Sequence, residues 1–409
     1  MNPKPHTAGQ AALQIVKKLR SNGHLALLAG GCVRDMLLDR TPKDYDVATD
    51  ASPSRVQELF PKARLVGAKF GVVLVRKTGS DIEVATFRSD GPYSDGRHPD
   101  AVTFGTEIED ASRRDFTING LFLDPLDDRV IDYVGGRDDL TAGVIRTIGD
   151  PDHRFSEDHL RMLRAIRLAA RLGFTIEPQT ANAIERLAPK LKAISPERIW
   201  QELEEIFTAP SRSAGWSLLV QLGLCDHLVG GLRFDRGPDS AIQRRLTALP
   251  ASPIDPALAL AALLCDGGVD DAKDVCRALR LSNRLTQAVV WLVRSLPMLR
   301  TESDLELADL KILMAEPNWP QLVELLRVDL IATAAYLAPY ESVCRRAEAI
   351  DSADVAPPPL LSGDDLAAMG MPPGPRFGEI LKTIYRAQLN TKITTRDEAN
   401  IMAGELMMS

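Results

Sequence analysis

The stretch GGCVRDMLLDRTPKDYDVAT, residues 30–49, sets two glycines, an Arg-Asp pair and two aspartates one residue apart within a short span. It follows LALLA (25–29), an apolar run that reads as a strand, so Gly30-Gly31 reads as a tight turn into a helix beginning CVRDMLL. Backbone N–H groups at such a turn can approach phosphate oxygens, and Arg34 adds positive charge on the first helical turn. Plain turn geometry accounts for the same glycines. In Asp44-Tyr45-Asp46 the strand period of two sends both carboxylates to one face and Tyr45 to the other. Such a pair suits either a solvated turn or two ligands of Mg²⁺. A metal held there would serve phosphoryl or nucleotidyl transfer by neutralising charge on the attacking and leaving oxygens.

Two further clusters carry chemistry-bearing side chains. RRDFTINGLFLDP (113–125) gathers Arg113, Arg114, Asp115 and Asn119, and reads either as a helix start with surface charges or as an anion clamp. In SEDHLRMLRAIRLAARLGF (156–174), helical spacing puts Arg161, Arg164 and Arg171 on one side with Arg167 beside them. Met162, Leu163, Ile166 and Ala170 fall opposite, giving an amphipathic helix with an arginine face that is either solvated or functional. Glu83, in IEVATF (82–87), is an acid on a strand-like run.

The elements that must position these groups change character near residue 150. Before it, LALLA, GVVLVRK (71–77), IEVATF and RVIDYV (129–134) alternate with turns rich in Gly, Pro and Asp, as strands do. After it, helical spacing dominates, as at 156–172, 196–208, 256–265 and 305–315, with Ser195-Pro196-Glu197 placed as an N-cap and first helical residue. VAPPPLLSGDDLAAMGMPPGPRFG (355–378) reads as a structured loop before two last helices.

Composition narrows the function classes. The 409 residues, 45% hydrophobic, 26% charged and 5% aromatic, fit an ordinary soluble, helix-rich protein of two to four domains. A formal charge of −7 argues against a generic polyanion binder, so any nucleic-acid surface must be a local patch. Five scattered cysteines without a CxxC pair argue against a disulfide framework or a zinc site and fit a reducing cytoplasm. MNPKPHTAGQ lacks the order of a signal peptide and no run of 18 apolar residues occurs, so the expectation is a cytoplasmic, non-membrane protein.

The three clusters, in this order and spacing, resemble the class II tRNA nucleotidyltransferases and bacterial poly(A) polymerases. ISPERIWQELEEIF (194–207) is similar to the family's next motif, and SGDDLAAMGMPPGPRFGEIL (362–381) extends the likeness toward the end. The resemblance implies an α+β head of the polymerase β-like nucleotidyltransferase fold, with a mixed or antiparallel sheet, over residues 1–150. An all-α neck (151–210), body (211–330) and tail (331–409) would follow, the neck selecting the base and the tail binding tRNA. Asp44 and Asp46 would hold Mg²⁺, with Glu83 as a third acid aiding metal binding or deprotonation. Gly30, Gly31 and Arg34 would contact the triphosphate. Arg114 would clamp phosphates, and Asp115 and Asn119 would lie near the ribose. Asp158 and Arg161, in an EDxxR pattern, would read the base edge, while Arg164 and Arg167 would hold phosphates or brace that template.

The implied activity is template-independent addition of CMP, AMP or both from CTP and ATP to the 3′ end of tRNA, with release of pyrophosphate. RSDGPYSDGRHPDAVTFGTEIEDAS (88–112) corresponds to a flexible loop that CC-adding members lack, which leaves CCA addition and terminal A addition open. A poly(A) polymerase is the runner-up, and a non-catalytic RNA-binding relative is the alternative of another class. The tail DEANIMAGELMMS is not a basic arm for unstructured RNA; Arg345, Arg346, Arg376, Lys382, Arg386 and Lys392 are tail cations that could touch tRNA phosphates. No DNA partner is expected, and with no His-Asp dipeptide an HD-type phosphohydrolase is not expected either.

Overall fold

The computed structural model describes residues 7–66, 71–93, 99–228, 239–301, 305–372 and 374–408, together with Gly96 and Gly237. The chain forms two compact units, one of residues 1–206 and 214–231 and the other of residues 207–213 and 232–409.

The first unit is built on a seven-stranded mixed sheet in the order β3-β4-β5-β2-β1-β8-β9. These are β1 (Ala26–Ala29), β2 (Asp46–Thr49), β3 (Arg64–Leu65), β4 (Val72–Lys77), β5 (Ser80–Thr86), β8 (Phe122–Asp124) and β9 (Arg129–Ile131); β6 (Arg88–Asp90) and β7 (Val102–Phe104) form a separate hairpin. All neighbours run antiparallel except β2 and β5, which are parallel. β1 is short, wholly apolar and buried at every position, as a central strand must be. Helix α1 (Thr7–Ser21) carries Ala11, Ala12, Ile15, Val16 and Leu19 at helical spacing, all without exposed surface. Leu27, Ala29, Ala48, Phe87, Ala111 and Phe122 form one core cluster, with the Phe87 and Phe122 rings edge to face at 6.0 Å.

Short helices punctuate the sheet: α2 (Gly31–Leu37), α3 (Pro53–Leu59), α4 (Glu107–Ser112) and α5 (Gly136–Ala142). α4 starts from a capping box in which Thr106 and Glu109 satisfy each other's backbone N–H groups. The segment expected to be a flexible loop, 88–112, contains the β6–β7 hairpin and α4; its Ser94, Asp95, Arg97 and His98 lie outside the described residues. The RVIDYV run is a strand only to Ile131. Asp132 ends it because its carboxylate accepts the N–H groups of Val134, Gly136 and Arg137 at 2.9–3.1 Å, which wraps the chain into a turn.

In the helical part of this unit the first two helices lie between β10 (Val144–Ile145) and β11 (Thr175–Ile176), which form a small parallel pair. The periodic run 156–172 is not one helix. α6 (Pro151–Glu157) stops at Asp158, which is extended, and α7 (Arg161–Leu172) starts three residues later. The Asp158 carboxylate accepts the Leu160 N–H at 3.1 Å, a local bond that competes with helix continuation. α7 buries Met162, Leu163, Ala165, Ile166 and Ala169 and ends at Gly173, whose φ of 74° suits a left-handed cap. α8 (Pro178–Leu187) and α9 (Pro196–Thr208) complete the set.

Among the described residues the regular elements of the second unit are all helices. Its interior holds a fully buried Arg245, which donates to Asp329 at 3.0 Å and to Asp266 at 2.7 Å, while Arg300 reaches the other Asp329 oxygen at 2.7 Å. Cys265 lies close to both acids, but the two guanidiniums already neutralise them. The Pro/Gly-rich segment 355–378 contains a short helix, Gly363–Ala368, closed by a Ser362/Asp365 capping box, and leads into the last two helices, Pro375–Leu389 and Arg396–Met408. Several tail cations have structural work: Arg386 forks onto Asp309, and Arg346 and Arg376 donate to the carbonyls of Leu305 and Leu406. No helix among the described residues is long and apolar enough to cross a membrane.

Candidate active site

The turn after β1 is shaped by Gly30, which adopts φ +73° between the strand and α2. A Cβ there would stand 2.7 Å from Arg114 Nη1, and that guanidinium cannot step aside freely because Asp110 grips it at 2.9 and 3.2 Å. Gly30→Ala is therefore expected to lower stability by about 1–2 kcal/mol from the left-handed backbone alone, which thermal melts of the variant check. Cys32, the second residue of α2, is a packing residue: burial pushes its thiol up to about 11, and Sγ lies 3.2 Å from the Ala29 carbonyl.

β2 begins at Asp46, so the two aspartates do not share one strand. Asp44 lies in the exposed bend just before it, Tyr45 is buried and Asp46 is half-buried. The parallel register of β2 and β5 puts Glu83 directly opposite Asp46. Burial, and then the Glu83 charge, push the Asp46 carboxyl up to about 6; Asp44 adds to the shift and Arg114 opposes it. Among the described residues no cation forms an ion pair with Asp44, Asp46 or Glu83. The Asp46 carboxylate, repelled by Glu83 and by Asp44, offers oxygen donors of the kind that a hard divalent cation takes.

A cleft of about 670 Å³ opens beside them. Of the residues singled out from sequence, Gly30, Gly31, Arg34, Asp46, Arg114, Asp115, Asn119, Asp158, Arg161, Arg164 and Arg167 line it, whereas Asp44 and Glu83 do not. Nine arginines against four aspartates line this cleft in a chain of net charge −7, which makes it a local anion site.

The arginines are held in place by a continuous polar chain. Arg34 forks onto Asp35 at 2.6 and 2.9 Å and donates to Asn119 Oδ1 at 2.6 Å. Asn119 Nδ2 donates to Asp115 at 3.0 Å, whose second oxygen takes both a 2.8 and a 3.0 Å bond from Arg164. Arg167 and Arg164 converge on Glu202 of α9, at 2.6 and 3.7 Å. Burial works to raise the Asp115 pKa, but the Arg164 charge and the Asn119 amide outweigh it and hold the carboxyl well below the usual range. A group so depressed stabilises the fold above the unfolded Asp value of about 3.9 and loses that contribution as pH falls through its folded value. Arg164→Met should cost about 1–3 kcal/mol at pH 7, since Arg164 is partly exposed, with the deficit shrinking below pH 4. Urea unfolding at pH 7 and pH 3 measures the difference.

Asp158 and Arg161 are braced separately. Asp158 receives Arg198 Nη2 from α9 at 2.8 Å, while Arg161 is bound by Glu157 and the Arg154 carbonyl. Arg88, Asp90, Tyr93, Arg113, Arg171 and Arg198 also line the cleft. None of these six carried an assigned role, although Arg198 and Glu202, four residues apart on one helix face, were readable as a pair.

Comparison with known proteins identifies the family. Profiles of the poly(A) polymerase head domain, of the RNA-binding site of polymerase A and of tRNA nucleotidyltransferase domain 2 match residues 26–146, 173–234 and 255–403. A CCA-adding enzyme of Geobacillus stearothermophilus is 35% identical over 401 residues, 95% of either chain. The chain belongs to the tRNA nucleotidyltransferase and poly(A) polymerase family. It is thus a nucleotidyltransferase, with the mixed-sheet head and helical remainder of that family. The Bacillus stearothermophilus CCA-adding enzyme in complex with CTP superposes with a TM-score of 0.80 at 31% identity, covering 99% of this chain and 98% of that one. Poly(A) polymerase I of Escherichia coli is 42% identical, but over 57% of this chain and 53% of its own length.

Proposed function

We propose that this tRNA nucleotidyltransferase adds C and A to the 3′ end of tRNA, and that Mg²⁺ is its metal. The observation that carries the reading is that Asp46 and the Asp158/Arg161 pair open into one arginine-lined cleft, so the metal-holding acid and the base-reading side chains face the same nucleotide. Likeness to CCA-adding enzymes over nearly the whole chain supports tRNA over unstructured RNA as the acceptor. In the same proposal, residues 1–150 are the head, 151–210 the neck, 211–330 the body and 331–409 the tail.

The reaction joins the 3′-oxygen of the RNA to the α-phosphorus of the nucleotide and breaks its bond to the bridging oxygen, releasing pyrophosphate. Asp44 and Asp46, with Glu83 beside them, would hold the metal, which when bound supplies charge neutralisation at the attacking and leaving oxygens. Arg34 and Arg114 bind the triphosphate; their guanidiniums are pre-set by Asp35 and Asp110, so little reorganisation is left for the reaction. Glu83 is exposed next to Asp46 and takes the proton of the hydroxyl, directly or through water. Asp158 accepts from the exocyclic amine of C or A, which U and G do not present in the same place.

Purified protein is given tRNA lacking its last one, two or three nucleotides, with ATP and CTP separately and together, and product length is read on a gel. Three steps on the shortest substrate support CCA addition. Growth only from a CC end means terminal A addition, and long ladders on arbitrary RNA mean poly(A) synthesis. No extension with Mg²⁺ present overturns the proposal.

A further inference from the structure

The face of the head sheet that carries the acids continues outward into a row of cations. Asp46 on β2 is paired with Glu83 on β5, Glu83 with Leu74 on β4, and Leu74 with Arg64 on β3. Paired residues share a face, so Arg64 stands on the side of Asp46, three strand spacings or about 14 Å away. The opposite face is closed: Val73, Val75, Ile82 and Val84 are at most 2% exposed. Two residues beyond Leu74, Arg76 repeats the same side opposite Asp81. Lys62, Arg64, Leu74, Arg76 and Asp81, with the turn Thr78-Gly79, line a groove of about 470 Å³. Val72, at the other end of the same side of β4, lines the catalytic cleft, so cleft and groove lie along one strand.

We infer that this groove is a track for the RNA backbone, holding phosphates of the single-stranded 3′ end a few nucleotides before the reacting hydroxyl. Three cations face a single acid among the lining residues, a local reversal of sign in a chain of net charge −7. Asp81 neutralises Arg76 weakly: their closest approach is 3.9 Å and both side chains are at least half exposed. A free nucleotide has its own cleft; what remains to be accommodated on this face is a polyanion whose end lies at Asp46, and cations strung outward from that point match a strand better than a small anion. The inference rests on the proposed extension of tRNA.

The test uses full-length protein, tRNA lacking its terminal A, and ATP. The triple variant Lys62→Ala/Arg64→Ala/Arg76→Ala changes only exposed side chains, and a thermal melt verifies its fold. It is expected to raise the tRNA KM about tenfold and leave the ATP KM and kcat unchanged. The slope of log Kd for tRNA against log salt should fall by about 2. Asp81→Asn should act in the opposite direction, tightening tRNA about twofold. Unchanged tRNA affinity and salt slope in the triple variant overturn the track, as does a rise confined to the ATP KM. If the parent protein extends no tRNA at all, the functional proposal falls instead, and the two failures are told apart by that control.

Discussion

Asp46→Asn protein is expected to melt, free of metal, several degrees above the parent and yet, with Mg²⁺ supplied, to extend RNA about 10²–10³-fold more slowly, or worse. Both halves come from one cause. The parent keeps Asp46 half-buried beside Glu83 and Asp44, and its carboxyl is pushed up to about 6 from 3.8. A raised carboxyl pKa means the fold prefers the neutral form, so stability is lost as pH rises from the unfolded value through the folded one. At pH 7 that penalty is on the order of 1–3 kcal/mol, and an amide, neutral at every pH, removes it. The advantage of the variant should accordingly vanish below about pH 4, where both states of the parent are protonated. Excess Mg²⁺ should reverse the ranking, because bound metal stabilises the parent by mass action and the substituted amide is a weaker ligand for it. Melts with chelator and with Mg²⁺ at pH 7, alongside single-turnover extension, read all of this. A variant that is no more stable than the parent without metal and is equally fast would remove Asp46 from the reaction.

The second large effect concerns which base is added. Asp158→Ala should lower kcat/KM for the preferred nucleotide about 10–100-fold, the range of one lost hydrogen bond to a charged group, while UTP and GTP gain relative to CTP and ATP. The tRNA KM should stay put, since Asp158 faces the nucleotide cleft. Because Asp158 also ends α6 and accepts the Leu160 N–H, Asp158→Asn serves as the fold control: it keeps that acceptor but presents an amide where the base needs an oxygen or Arg198 needs a charge. Equal discrimination among the four nucleotides in parent, Ala and Asn forms would sink the base-reading role. Arg161→Ala should relax discrimination in the same sense; the Arg161 N–H donates to the Asp158 carbonyl at 3.0 Å and both side chains line one cleft, so the double variant should depart from the sum of the two losses.

Much of the site could be read because its signals are local. Gly30 is demanded by a left-handed turn, Gly173 by a helix cap, and the arginine side of α7 by a period of 3.6 residues. Each depends on neighbours within a few positions. The misreadings were also local in origin. Periodicity alone ran α6 and α7 together, and the side chain of Asp158, bonding to its own backbone, broke them apart. Strand alternation placed Asp44 and Asp46 on one strand, although pairing with β1 begins at Asp46.

The likeness of three sequence motifs to a known family was enough to reach the nucleotidyltransferase class, and the same motifs picked out Asp44, Asp46 and the EDxxR arginines as its candidate side chains. Only the tertiary structure decided that Glu83 stands opposite Asp46, that Arg198 and Glu202 brace the side chains of Asp158 and Arg167, and that Arg64 and Arg76 extend the acids' own face. Turns, caps and periodicity are written in adjacent residues. Strand register and the meeting of helix faces are set by which apolar side chains can be buried together across tens of residues, and no short window of sequence contains that choice.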